Sequence, residues 1–275
     1  MRFKNQVIWI TGGGSGIGLA LAKAFAKEGA KVALSGRRLN KLNEAVKIVE
    51  QAGGEGLAVQ CDVSDEKAVE AAVEKVVQHF GKMDLVLANA GFGVAGKFKD
   101  LQVDDWRRQF EVNVLGAIAT VKYALPHLEK SKGRIGLMGS VSGMFSSPGV
   151  GPYHASKYAI RAIGQVLAME LHGTGVSCTT IQPGFVESEI GQVDNAGVFR
   201  PEFTDSRPQK LMWSSQKAAD VILNALYKRK REFTFTTHGK IVGFLGRHSP
   251  SLVHFAVTTF VKKPYKTSVS SLDKD

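Results

Sequence analysis

Tyr153 and Lys157 lie four residues apart at the head of YHASKYAIRAIGQVLAMELHG, a segment that keeps helical period. That spacing sets both side chains on one face of a helix, one above the other. An ammonium beside a phenol stabilises the phenolate, drawing a reference pKa of about 10 toward the range where proton transfer at neutral pH is practical. Alone, such a pair is more often a surface pair. Its meaning comes from its company. Ser140 and Ser142 fall immediately past the apolar run IGLM (135–138), and Asn113 sits amid Phe110, Val112, Val114 and Leu115. A buried Asn needs several partners, so Asn113 is either a local backbone bridge or part of a polar network.

A second group of residues suits a phosphate-bearing ligand. TGGGSGIG (11–18) follows the apolar run VIWI and leads into the helical LALAKAFAKEG. Gly12, Gly16 and Gly18 allow a tight turn, close backbone approach to a pyrophosphate and tight helix–strand packing. With Gly14, Ser15 and Ile17 they open a helix whose free N–H groups favour an anion. A dinucleotide site is the functional reading and a merely structural turn the bland one. An NAD site usually carries an acid about twenty positions past the glycines, for the ribose 2′-hydroxyl. Here Gly36 holds that place and Arg37 and Arg38 follow. Guanidinium groups pair with phosphate oxygens and stack on aromatic faces, so these residues point to the 2′-phosphate of NADP(H), Arg37 first. The alternative is a solvated basic pair opening the next helix. Asp62, followed by Val63, either accepts from an adenine amino group or assists a helix cap at Ser64. Asn89-Ala90-Gly91 ends another apolar run with small residues that let backbone pass close beneath a cofactor.

These residues all follow short apolar runs that alternate with helical segments: VIWI (7–10), VALS (32–35), LAVQC (57–61), LVLAN (85–89), IGLM (135–138), VSCTTI (176–181) and FTFT (233–236). Such alternation means βαβ units, which stack through right-handed crossovers as a mostly parallel sheet with helices on both faces. Ligands then bind beyond the carboxyl ends of the strands, where strand order reverses.

With 275 residues, 44% of them hydrophobic and 22% charged, one large α/β domain accommodates the chain. The net charge of +11 is unevenly spread: residues 228–275 hold ten Lys/Arg against Glu232, Asp273 and Asp275, so +7 of it lies there. Basicity therefore belongs to the C-terminal extension, and aromatics are not interleaved with it as a nucleic-acid stacking surface requires. Cys61 and Cys178 read as reduced core residues, and two thiols with scattered histidines argue against a metal site. Met1 runs almost directly into VIWI, leaving no room for a signal peptide, so a cytoplasmic location is expected.

In order and spacing, TGGGSGIG, Asp62, Asn89-Ala90-Gly91, Asn113, Ser140, Tyr153/Lys157 and Pro183-Gly184 resemble the short-chain dehydrogenase/reductase family over about residues 5–237. The resemblance implies a three-layer doubly wound Rossmann fold of about seven strands and an oxidoreductase acting on CH–OH groups. It implies Tyr153 as acid/base and Lys157 as the residue that binds nicotinamide ribose and lowers the tyrosine pKa. It further implies Ser140 on the substrate oxygen, Asn113 holding a proton-relay water, and a nicotinamide-contacting loop with Val186 on the carboxamide. Ser188 stands where the family commonly has Thr, keeping the hydroxyl, and Ala88 replaces a second Asn. The fold alone implies no function; an intact set of site residues does. The competing function is a non-catalytic NADP(H) sensor or scaffold on the same fold, which could dispense with the tyrosine and lysine.

Residues 1–237 are expected to form the catalytic domain, with residues 185–213 covering the substrate. Phe185, Met212 and Trp213 there, with Phe92 and Phe145, suggest an apolar pocket for a steroid-, lipid- or aromatic-ketone-like substrate, although the lid aromatics could instead pack onto the body. Residues 238–275 form a basic, apolar extension in which SPSLVHFAVTTFVKK starts as a helix with Ser before Pro. Neither of its apolar runs approaches the roughly twenty residues a bilayer span needs. A lid, a subunit interface and peripheral membrane contact are its three open roles. A homo-oligomer is the expected assembly.

Overall fold

The computed structural model describes residues 1–260. Seven strands build one sheet: β1 (Val7–Thr11), β2 (Lys31–Gly36), β3 (Glu55–Gln60), β4 (Leu85–Ala88), β5 (Arg134–Met138), β6 (Ser177–Gln182) and β7 (Glu232–Thr234). Every pairing is parallel and the order is 3-2-1-4-5-6-7. The chain thus winds outward twice from the middle, and strand order reverses between β1 and β4.

Side chains alternate across the pleat, which splits the core into two halves. From β1, Ile8 and Ile10 join Leu21, Phe25, Leu42, Ile222 and Leu226 on one face. There α1 (Gly16–Lys27), α2 (Leu39–Gln51) and α7 (Ser215–Tyr227) cover the sheet. Val7 and Trp9 point the other way, toward Val69, Val73, Val121, Leu128 and Ile160. These belong to α3 (Glu66–Phe80), α5 (Gly116–Ser131) and α6 (Gly151–Glu170). Each central strand is buried on both faces, which is why β4 and β1 up to Ile10 read as continuous apolar sequence.

Two local expectations are corrected. Asp65, not Ser64, caps α3: its carboxylate accepts from the amides of Lys67 and Ala68 at 3.0 and 3.2 Å. A carboxylate gains more than a hydroxyl at the positive end of a helix dipole. The seventh strand stops at Thr234, short of the expected Thr236. Thr236 leaves extended geometry, with φ of 67°, and its hydroxyl caps α8 (Thr237–His248) by accepting from Gly239.

After α8, Ser249 precedes Pro250 and the chain turns into α9 (Pro250–Phe260). Ile241, Phe244, Leu252 and Phe255 face outward, exposed, on this helical pair. No helix among the described residues is long and apolar enough to cross a membrane. The rest of the extension, including Lys262 and Lys263, lies outside the described residues.

Candidate active site

α6 starts with Pro152 in its first turn; Tyr153 follows it there, and Lys157 stands one turn on. The ring of Tyr153 is half-buried and opens on a cavity that Ser140 also lines. Lys157 is only 6% exposed; its Nζ donates to the carbonyl oxygen of Met138 at 2.8 Å and lies 5.6 Å from the centre of the Tyr153 ring. Burial draws its pKa from the usual 10.5 down to about 8. The phenol departs from expectation. Withdrawal from water pushes its pKa up, and the Ser140 hydroxyl and the Arg207 charge oppose that only in part. The lysine is aimed at the end of β5 rather than at the phenol oxygen, so desolvation sets the direction. Tyr153 therefore rests as a neutral phenol with a proton to give.

Ser140 lies one residue beyond β5, after Gly139. Its amide donates to Gln182 Oε1 at 2.9 Å, and its hydroxyl accepts from the Ser142 amide at 3.1 Å. Asn113 sits in a π-helical turn, Glu111–Leu115, inserted between α4 (Val103–Phe110) and α5. A π turn adds one residue to the helical register and is frequent at functional sites. Of the two readings, backbone bridge or wider network, Asn113 serves both. Its Oδ1 accepts from the Phe92 amide at 3.0 Å, and its Nδ2 donates to the Phe92 carbonyl and to Ser156 Oγ at 3.0 and 3.2 Å. It joins the loop after β4 to the back of α6.

The glycine loop lies across the switch point from that loop. Asn89 Nδ2 donates to the carbonyls of Thr11 and Gly12, at 2.9 and 3.1 Å, tying the ends of β1 and β4. Gly12 has φ of +66°, and a Cβ there would stand 2.9 Å from Ala90 Cα. A Cβ on Gly18 would overlap the Gly12 carbonyl. Gly91 packs against the Asn113 side chain, where a Cβ would meet Oδ1 at 3.0 Å. Ser15 precedes α1 without a side-chain cap, leaving the first amides of that helix for an anion. Gly14 and Ile17 complete the loop, and Val63 is buried against Gly116. Asp62 folds onto its own turn, its Oδ1 accepting from the Ser64 amide and hydroxyl at 3.0 and 2.7 Å. This cradle fits a dinucleotide: the glycines admit backbone where a side chain would collide, and uncapped amides face it.

Arg37 and Arg38 stand at the end of β2 and reach over to the 185–213 segment. Arg37 donates to the Gly197 carbonyl; Arg38 pairs with Glu189 and lies 5.5 Å from the Phe199 ring centre. Asn195 clasps the backbone of Ala95 through both of its amide atoms, at 3.0 and 2.9 Å. The segment is therefore held down over the site.

Beneath it is a cavity of about 250 Å³. Phe145 and Phe185 are in its wall; Phe92, Met212 and Trp213 are not. Trp213 instead pairs with Val186 through backbone, packs 5.8 Å from Phe235 and carries Lys217 over its ring at 4.0 Å, so it anchors the segment to the body. The extension supplies wall residues too: His238 and Val242 of α8. His238 stacks on Phe185 at 5.2 Å and accepts from the Phe185 amide at 3.0 Å. Gly184, after Pro183, has room for no side chain because His238 and Thr236 press against it.

Three participants escaped the sequence reading. His154 is buried next to Tyr153; its Nε2 accepts from the Ser147 amide at 3.1 Å, so Nδ1 carries the hydrogen given to the Ser142 carbonyl at 2.9 Å. Arg207 lines the cavity, is bound to Asp205, and donates to the carbonyls of Val186 and Ser188 at 3.1 and 2.9 Å. His238 is the third. Only His154, inside YHASK, lay near a motif that could have flagged it.

Cys61 and Cys178 are buried and unpaired, and burial pushes their thiols up to about 11 and about 12. No cluster of three or more His, Cys, Asp or Glu placed to hold a metal occurs among the described residues.

The short chain dehydrogenase family model matches residues 6–198. The chain is 37% identical over 190 residues to meso-2,3-butanediol dehydrogenase of Serratia marcescens, covering 69% of this chain and 75% of that protein. A short chain dehydrogenase/reductase of Burkholderia phymatum, solved in complex with NAD, superposes with a TM-score of 0.80 at 27% identity, over 97% of this chain and 98% of that one. An alcohol dehydrogenase of Thermococcus sibiricus, solved with 5-hydroxy-NADP, does so with a TM-score of 0.73 at 27% identity, over 84% and 96%. With that match and the site at the switch point of the sheet, the chain belongs to the short-chain dehydrogenase/reductase family of oxidoreductases.

Proposed function

We propose that the chain transfers a hydride between NADP(H) and a hydrophobic carbonyl or alcohol, with Tyr153 as the acid/base. The observation that carries this is the meeting of Ser140 and Tyr153 in one mostly apolar cavity, with buried Lys157 behind them and the glycine cradle alongside. The bound nicotinamide supplies or takes up the hydride.

The protein's own residues manage the oxygen and its proton. The Ser140 hydroxyl positions the substrate oxygen, and the neutral Tyr153 phenol donates its proton to it during reduction. Lys157, positively charged below about pH 8, favours the phenolate that this leaves. Asn113 holds the 92 and 156 positions in register, so the phenol meets the substrate at a fixed angle. Arg207 restrains the carbonyls of Val186 and Ser188, the loop we assign to the carboxamide. In alcohol oxidation the proton returns along the same route.

Two supports favour NADP(H) over NAD(H): no acid stands at Gly36, and two guanidinium groups reach the rim of the cradle. A 2′-phosphate would compete with Gly197 and Glu189 for these groups. Val94, Val141, Phe145, Phe185, Val193 and Phe203 in the wall favour an apolar substrate. Among the roles open to the extension, cover is the one that His238 and Val242 support, and the outward faces of α8 and α9 suit contact with a second copy.

The test is an absorbance screen for NADPH consumption over straight-chain, aromatic and polycyclic ketones, repeated with NADH. Turnover of apolar ketones with preference for NADPH is expected. Consumption confined to polar, sugar-like carbonyls would overturn the substrate class, and no consumption on any carbonyl or alcohol would overturn the reaction.

A further inference from the structure

A second cavity, of about 360 Å³, lies between the loop after β5 and the helix α9. Met144, Phe145, Pro148, Tyr158, Val253 and Val257 contribute most of its apolar wall, and no Lys, Arg, Asp or Glu lines it. Its helix side is built by periodicity: Val253, Ala256 and Val257 are the half-buried positions of α9, while Leu252 and Phe255 face outward. Its floor depends on glycine. A Cβ on Gly243 would stand 2.8 Å from the Met144 sulfur, and one on Gly246 would overlap the Met144 carbonyl, so α8 lies directly on the 144–145 backbone. α9 is thereby carried over the loop.

Phe145 and Ser147 line both this cavity and the one that holds Ser140 and Tyr153. They are the partition between the two. The first cavity, at about 250 Å³, falls just short of the roughly 300–1,000 Å³ usual for small-molecule sites. The two joined fall inside that range. The partition is an aromatic side chain and a small serine; the Phe145 ring stands edge-on to His154 at 5.4 Å, and its Cβ packs against Gly246 of α8.

We propose that the second cavity is a subsite for the unbranched apolar tail of the substrate, so that this enzyme acts on long-chain aliphatic ketones or alcohols rather than on compact ones. The carbonyl lies at Ser140 and Tyr153, and the chain passes Phe145 to end between α9 and the 144–148 loop. This rests on the reading of the first cavity as the reaction site. No lysine or arginine lines the cavity to hold an anionic tail group, and its wall, mostly apolar between Ser146, Ser147, His254 and Thr258, favours added methylenes.

The test is a titration of the intact chain with 2-butanone, 2-hexanone, 2-octanone and 2-decanone by ligand-observed NMR, with turnover of the same ketones measured in parallel. Affinity is expected to rise about fourfold per methylene once the first cavity is filled. Val257→Trp fills the second cavity and is expected to weaken 2-decanone at least tenfold while leaving 2-butanone within twofold. Val253→Phe, a smaller change at a half-exposed position, gives the same result in weaker form should the tryptophan impair folding. Equal 2-decanone affinity in the wild type and a folded variant would overturn the subsite, as would affinity that does not depend on chain length. Chain-length-dependent binding without turnover keeps the subsite and removes the reductase reading. Turnover of short ketones with flat binding does the reverse.

Discussion

Lys157→Met should make the protein more stable and inactive. The folded chain carries this lysine nine-tenths buried or more, and its pKa falls from 10.5 to about 8. A shift of that size corresponds to about 3 kcal/mol at neutral pH, an upper figure, charged against the folded state because the ammonium is held out of water. Methionine fills a similar volume without charge. The Met138 carbonyl loses its partner at 2.8 Å, which costs about 1 kcal/mol. The net expectation is a gain of about 2 kcal/mol at pH 7. Its pH dependence has a definite sign. The folded pKa lies below the unfolded one, so the unfolded chain binds more protons between about pH 8 and 10.5, and wild-type stability rises with pH across that window. The advantage of the variant should therefore shrink to about zero by pH 9.5. Urea melts of the cofactor-free wild type and variant at several pH values measure the difference directly, cancelling the other groups that titrate. A variant less stable than wild type at pH 7, or an advantage that does not change with pH, would mean that the buried ammonium does not burden the folded state.

Other expectations follow from the same contacts. Arg37→Asp should weaken NADPH about 10- to 150-fold, the worth of a charge-assisted hydrogen bond, with little loss for NADH; fluorescence titration of both nucleotides reads the ratio. Because Lys157 loses its charge at about pH 8, kcat/KM for reduction should be level below that value and fall with rising pH above it, while Tyr153, shifted upward, adds no break near neutrality. Gly18→Ala puts a methyl group into the Gly12 carbonyl and within 2.8 Å of Asn89 Nδ2. Overpacking of this kind costs about 1–3 kcal/mol, so lower thermal stability and weaker binding of both nucleotides are expected, measured by melting with and without cofactor.

Much of the fold is legible in the sequence for a simple reason. Strands buried on both faces must be apolar throughout, so VIWI and LVLA declare themselves, and the residues that do chemistry follow them at the switch point. Legibility fails where a position is defined by a distant partner. Arg207 acts on Val186 and Ser188, and His238 on Phe185, fifty-three residues away, with no periodicity to announce either. Trp213 and Met212 show the related ambiguity: apolar residues in an irregular segment can line a cavity or fasten the segment to the body, and composition does not separate the two. Ser64 lost the cap of α3 to its neighbour Asp65 because charge outweighed a pattern that both residues satisfy. The phenol of Tyr153 moved upward because spacing alone reveals that a lysine is near, not that its ammonium is turned toward Met138.

In the proposed reaction Tyr153 hands a proton to the substrate oxygen. Tyr153→Phe removes one oxygen atom and leaves the cradle, Lys157 and the cavity wall in place. Binding of NADPH by fluorescence should stay within about twofold of wild type, while kcat on the best ketone falls by about 10²- to 10⁴-fold, the usual contribution of general acid catalysis. Turnover within tenfold of wild type, in a variant that still binds NADPH, would show that the proton comes from elsewhere.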